Sequence, residues 1–185
     1  MKIFKYILIS SIIIYGLTFL AHFTFDIFQN DIIAVFFPTN ESIFQHMKMI
    51  FTCYFIFYFI LFIVRRKFKF QNVFLANLVA SISCIAFFLV IYIPTYLRFG
   101  EHMIFTFILL FVAIMFGQYM ASSFLKKNDY KQIDIFSIIL ISIIFIILGY
   151  LTFNPIENFI FWDPQHETYD IVSKGNKVIE NVINL

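Results

Sequence analysis

Pro38-Thr39-Asn40-Glu41-Ser42-Ile43-Phe44-Gln45-His46-Met47-Lys48 runs without a break into the uncharged apolar stretch from Met49 to Val64, which closes on Arg65-Arg66-Lys67. A bilayer crossing needs about 20 predominantly apolar residues in a helix. The stretch therefore reads as a turn feeding a spanning helix over about residues 42–64. Thr39 or Asn40 can cap that helix, and Glu41 suits its first turn, where the helix dipole favours negative charge. Glu41, His46 and Lys48 crowd one end of a membrane segment. Ionisable groups at such depth are costly and mark function.

The same reading extends in both directions. Upstream, Lys2 and Lys5 precede an apolar run from Tyr6 to Phe25. It is too long for a signal-peptide core and has no small-x-small cleavage site, so it reads as a retained first helix over about 6–25. Ser11, Tyr15, Thr18 and His22 recur on one face of it, and Asp26 continues the series. Ile32 to Phe37 is too short to span and reads as a re-entrant or interfacial piece ending at Pro38. Downstream, Arg65-Arg66-Lys67-Phe68-Lys69 forms a basic loop. A third helix covers about 73–93, with Pro94 expected to stop it. A fourth covers about 103–124, where Gly117 and Ala121 form a small-x-x-x-small contact. Lys126, Lys127 and Lys131 mark another basic loop, and a fifth helix covers about 133–152. The tail, 153–185, carries Phe161-Trp162-Asp163-Pro164, an interfacial composition with the only Trp. Its end, from Val172, is polar.

The expected fold is therefore all-α: one membrane domain over residues 1–185, a bundle of five transmembrane helices. Composition agrees. Of 185 residues, 62% are hydrophobic and 13% charged, against about 25% charged in soluble domains; mean hydropathy is +0.90. The partner implied is the lipid bilayer, with a homo-oligomer left open. A net charge of +2 gives no reason to expect nucleic acid. Cys53 and Cys84 lie in separate apolar runs without metal or redox spacing and read as buried small residues. The basic loops alternate as five crossings require, placing the N-terminus in the cytoplasm and the C-terminus outside.

That topology gathers His22, His46, His102 and His166 at the outer end. His22 and Asp26, four apart, share a helix face, as do Ser42 and His46. Glu41 and His46 are about 140° apart on an ideal helix and converge only if Glu41 lies in an irregular cap. Glu101-His102 is a second acid–imidazole pair, with Arg98 one turn before it. Imidazole plus carboxylate suits a divalent metal such as zinc. His22, His46 and His102 are the candidate ligands, with Glu41 or Asp26 as ligand or general base. Asn40, Ser42, Lys48, Arg98 and Asp163 are further polar candidates. No His-Glu-x-x-His pattern, phosphate loop or nucleophile elbow occurs. Two functions stay open: metal-assisted or acid–base chemistry on a lipid-like or cell-envelope substrate, and a non-enzymatic role as an assembly factor or as a proton, ion or small-solute pathway along the Ser11–His22 stripe. Each group also has a structural use, as cap, hydrogen-bond partner or interface anchor.

The junction at Pro38–Lys48 resembles an uncharacterised family of small bacterial multi-spanning membrane proteins carrying Pro-x-Asn-Glu-Ser-x-x-x-His-x-Lys after the first helix. His22-Phe23 with Asp26 matches that helix's end in the family. Asn154-Pro155, Phe161, Asp163-Pro164, Tyr169 and Ile171 match its C-terminal segment, with Asp170 where relatives tend to have Gly. The resemblance implies a multi-pass protein of the bacterial cell membrane and brings no established activity.

Overall fold

The computed structural model describes residues 2–68, 71–100, 102–125 and 130–172. Glu101, Lys69, Lys126, Lys127 and the polar end of the tail lie outside the described residues. Seven helical segments follow one another: α1 (Lys2–His22), α2 (Thr24–Phe28), α3 (Asp31–Phe36), α4 (Ile43–Phe68), α5 (Val73–Phe99), α6 (Met103–Ser122) and α7 (Lys131–Phe153). Five are long and apolar enough to cross a membrane, α1 and α2 counting as one stretch over Ile3–Phe28. The outer faces carry exposed large apolar residues such as Leu20, Val90, Ile104 and Ile146. Water would penalise such a surface, whereas lipid accepts it.

α5 lies centrally, against α4, α6 and α7, while α1 packs on α6 and α4. At the α5–α6 seam, a Cβ on Gly117 would sit 2.5 Å from the Ala80 carbonyl oxygen and 2.6 Å from the Tyr54 hydroxyl. Only glycine permits that approach, so the small-residue contact expected on the fourth helix is present. Tyr54 and Tyr58 are fully buried and spend their hydroxyls on the Ile114 carbonyl and the Gln118 side chain of α6. Cys53 and Cys84 are free and buried.

One boundary departs from expectation. Pro94 does not end the third spanning helix, which runs on to Phe99. Proline removes an amide and leaves the Val90 carbonyl without its helical partner. Thr95 Oγ1 donates to the adjacent Ile91 carbonyl at 2.7 Å. The helix continues past Pro94 all the same, as spanning helices do where neighbouring helices and local adjustments absorb an internal proline.

The short piece before α4 is a helix, α3, packed against α7 and α4. Asn30 caps its start, accepting from the Ile33 amide at 3.0 Å. Its C-terminal carbonyls are taken by α4: Lys48 Nζ donates to Ala34 at 2.6 Å, and Thr52 Oγ1 donates to Phe36 at 2.6 Å. Lys48 also donates to Thr152 Oγ1 of α7 at 2.9 Å and is fully buried. A cation on the negative end of a helix dipole is well placed. Lys48 thus ties α3, α4 and α7 together.

At the opposite end, Asp134 of α7 accepts the Leu75 amide at 2.8 Å and so caps the start of α5.

Candidate functional site

The junction at 38–42 stays outside the helix because its own polar groups and the tail occupy its backbone. Asn40 Oδ1 accepts the Ser42 amide at 3.0 Å, and Ser42 Oγ accepts the Gln45 amide at 3.3 Å, an N-cap that starts α4 at Ile43. Asn40 Nδ2 donates to the Asp170 carbonyl at 2.9 Å, the Val172 amide to Thr39 at 3.0 Å, and the Phe44 amide to Ile160 at 2.9 Å. Phe44 stacks on Phe161 with centroids 4.4 Å apart. The tail therefore wraps the turn.

Asp163 is the anchor of that wrap. Its fully buried carboxylate accepts the Glu41 amide at 3.0 Å, the Gln165 amide at 2.8 Å, the His166 amide at 3.2 Å and His166 Nδ1 at 2.8 Å. Burial alone would raise its pKa, but these donors outweigh that and hold the carboxyl below its ordinary value. Asp163 thereby fixes the backbone of Glu41 and, with it, where the Glu41 side chain starts.

Glu41 then faces two imidazoles. His22 Nε2 lies 3.5 Å from Oε1, and His46 Nε2 lies 3.6 Å from Oε2. The rings are 5.7 Å apart, inclined at 34°. One donor atom from each of His22, Glu41 and His46 falls within 4.8 Å of the others. The side chains keep 29%, 27% and 32% of their surface exposed, so an ion from solvent can reach them.

The tautomer of His46 follows from its other nitrogen. Nδ1 lies 2.9 Å from the Ser42 carbonyl, which only accepts, so Nδ1 carries hydrogen. In a neutral ring Nε2 then turns a lone pair toward a carboxylate oxygen. Two acceptors facing each other repel unless a proton or a metal cation stands between them. The spacing bears on which. At 3.5 and 3.6 Å the contacts are long for hydrogen bonds. They approach the edge of about 3.3 Å in a tetrahedron of ligands at about 2.0 Å from zinc. A backbone carbonyl on the second nitrogen is also the support that metal-bound histidines ordinarily have.

The remaining sequence candidates fall elsewhere. Asp26, on α2 one turn beyond His22, is not in the group of three, although its charge acts on His22. His102 is exposed at the start of α6, outside the group, although Met103 and Thr106 after it line the adjoining cavity. Arg98 is exposed on the last turn of α5. Lys48 is occupied by α3 and α7, and Asn40, Ser42 and Asp163 shape the turn. The spacing of His22 and Glu41 gave no sign of their approach, because they belong to separate elements joined by α2 and α3.

The three residues stand on the wall of a cavity of about 320 Å³ between α1, α4, α5 and α6. Thr18, Phe19, Met49, Phe88, Phe107 and Leu110 supply most of the rest of its lining. A smaller cavity of about 50 Å³ on the tail side of Glu41 and His46 is bounded by Tyr92, Phe159 and Trp162.

Five apolar spanning-length helices with a His–Glu–His group at one end define a multi-pass helical membrane protein with a polar site at a helix junction. The chain belongs to a family of unknown function (DUF6512), whose model matches residues 1–171. Neither the curated proteins nor the solved structures contain a match.

Proposed function

We propose that this chain is a multi-pass protein of the bacterial cell membrane that holds a divalent metal, zinc by its donor set, between His22, Glu41 and His46. Metal-assisted hydrolysis or group transfer on a lipid-like or cell-envelope substrate is the reading this donor set favours. One observation carries it: with Nδ1 of His46 committed to the Ser42 carbonyl, its Nε2 is the nitrogen that faces Glu41, and it stands with His22 around one carboxylate at near metal-ligand spacings. Two imidazoles and a carboxylate leave a fourth position open, as catalytic zinc sites do. A metal there would lower the pKa of a bound water to about 7 and polarise a carbonyl oxygen. His22 and His46 act as ligands, Glu41 as ligand through one oxygen, and Asp163 as the residue that positions Glu41. The site faces outward in an orientation with the N-terminus cytoplasmic, and α3 is the re-entrant element that closes the bundle beside it.

A permeation pathway draws less support. Of the stripe, Thr18 donates to an α1 carbonyl and Tyr15 lies 3.4 Å from the Phe107 carbonyl, so these two hydroxyls serve packing, whereas the Ser11 hydroxyl is buried with no hydrogen-bond partner among the described residues.

The test is metal content of the purified protein, without chelators, for wild type, His22→Ala, His46→Ala, Glu41→Gln and His102→Ala. One equivalent of metal is expected in wild type and His102→Ala, with affinity lowered by at least about 100-fold in the other three. No metal in wild type, even after adding zinc back, would sink the metalloprotein reading.

A further inference from the structure

The large cavity beside the histidines has a shape and a charge that select a substrate. Its sill is made by α1 and α6. Tyr15 meets the Phe107 carbonyl at 3.4 Å, and Phe19 meets Phe107 with centroids 5.6 Å apart, so these helices touch at that height. Toward the junction the lining continues through Phe23 and Met103, which are both cavity-lining and exposed. A residue that lines the cavity and also reaches the outer surface marks a mouth. This mouth opens sideways between α1 and α6, at the level of His22.

The volume of about 320 Å³ stands at the low end of the roughly 300–1,000 Å³ of small-molecule sites. It takes one slender chain rather than a two-chain lipid. The walls along Phe19, Met49, Ile50 and Leu110 are apolar, the ionisable groups are His22, Glu41 and His46 at the junction, and Thr18, Thr106 and Gln165 complete the polar lining. A molecule filling it has an apolar chain and a polar head.

Charge decides the head. Among the described residues no lysine or arginine lines the cavity, and Glu41 is the one carboxylate there. The nearby lysine in sequence, Lys48, is held inside by Ala34 and Thr152. Phosphate heads are ordinarily gripped by arginine forks or lysines, which the described lining lacks.

Resting on the metal-centre reading, we propose that the substrate is an uncharged carboxylic ester of a single-chain lipid, admitted from the bilayer between α1 and α6 with its carbonyl at His22, Glu41 and His46. Hydrolysis forms a bond from a water oxygen to the carbonyl carbon and breaks the bond to the alcohol oxygen. One water proton passes to that departing oxygen, and the products are a fatty acid and an alcohol. No oxidant or further reactant is needed.

Binding is tested with the detergent-purified protein, metal-free and zinc-loaded, by native mass spectrometry, using a monoacylglycerol and an alkyl phosphate of the same chain length. Metal is counted in parallel. We expect one monoacylglycerol to be retained per chain in both forms, with the alkyl phosphate bound at least about tenfold more weakly by the metal-free form, in which zinc cannot hold the phosphate itself. Leu110→Phe, which fills the chain end, should lower monoacylglycerol retention by about tenfold or more and leave the metal in place. Met103→Phe at the mouth is the second variant should Leu110→Phe fail to fold. Equal or better retention of the alkyl phosphate by the metal-free protein would overturn the proposal. So would undiminished retention in folded Leu110→Phe or Met103→Phe, which is the behaviour of annular lipid only. Retained monoacylglycerol on a wild-type protein that takes up no zinc would overturn the metal reading while supporting the chain-and-head cavity.

Discussion

At the scale of single residues, the site depends on a carboxylate that touches neither histidine of the group. Asp163 holds the Glu41 amide from 122 positions away in the chain. Asp163→Ala should leave the Glu41, Gln165 and His166 amides unpaired and destabilise the folded tail by roughly 2–3 kcal/mol. Asp163→Ala should also weaken metal binding without removing a ligand, and titration with zinc measures that effect. The pH dependence has a definite sign. The folded pKa of Asp163 lies below its unfolded value, so the stabilisation is complete above the unfolded value and is lost as pH falls through the lower, folded one. Trp162 is the only tryptophan, adjacent to Asp163, and packs on Tyr169 with centroids 4.9 Å apart. Its fluorescence should be constant from pH 7 to about 5 and change only below about pH 4, near and under the ordinary carboxylate range. A transition at pH 6 would assign the tail's hold to another group. The sequence made Glu41 and His46 visible as a pair under one condition, that Glu41 stand outside the helix, and α4 begins at Ile43. It gave no sign that Glu41 would lie between His46 and His22, or that Asp163 would hold Glu41 in place. Both contacts depend on chain reversals that leave no local periodicity.

At the scale of elements, helix positions were legible wherever an apolar run met a charge, and misread where a local rule met a membrane remedy. Pro94 is the clear case. A soluble-protein rule ends the helix there, and the spanning helix carries the proline through to Phe99. Lys48 is another, since a lysine at a polar junction reads as part of a surface site and is in fact buried against α3. Lys48→Met should raise hydrogen exchange of the Ile33–Phe37 amides, because α3 loses the donor on its C-terminal carbonyls. It should leave metal content unchanged, since Lys48 contacts none of the three ligands. Loss of metal in Lys48→Met would return Lys48 to the site. At the α5–α6 seam, Gly117→Ala drives a methyl into the Ala80 carbonyl, a backbone atom that cannot rotate away. A cost of about 1–3 kcal/mol is expected in SDS unfolding titrations. Gly16→Ala, with nothing within 4 Å of the added carbon, should be neutral or stabilising by up to about 1 kcal/mol.

At the scale of the whole molecule, the arrangement requires the His–Glu–His group and the start of α7 to lie at opposite ends of the bundle. The tail segment with Asp163 and His166 binds the turn before α4, whereas Asp134 near the start of α7 caps the start of α5. An odd number of crossings then separates Lys2 from the described end of the tail, and the basic residues of the sequence favour the α7 start as cytoplasmic. The two native cysteines are fully buried, so introduced thiols can be read against a silent background. His166→Cys, at an exposed tail position, should react with a membrane-impermeant maleimide in intact cells. Lys131→Cys, exposed at the first position of α7, should react only after permeabilisation. The reverse pattern would place the His–Glu–His group in the cytoplasm and rule out an envelope substrate reached from outside. It would leave the metal geometry and the sideways mouth untouched, because both are properties of the bundle rather than of its direction. Labelling of both positions from one side would require an even number of crossings, and α7, attached chiefly through α5 and α3, is the helix whose insertion would then be abandoned.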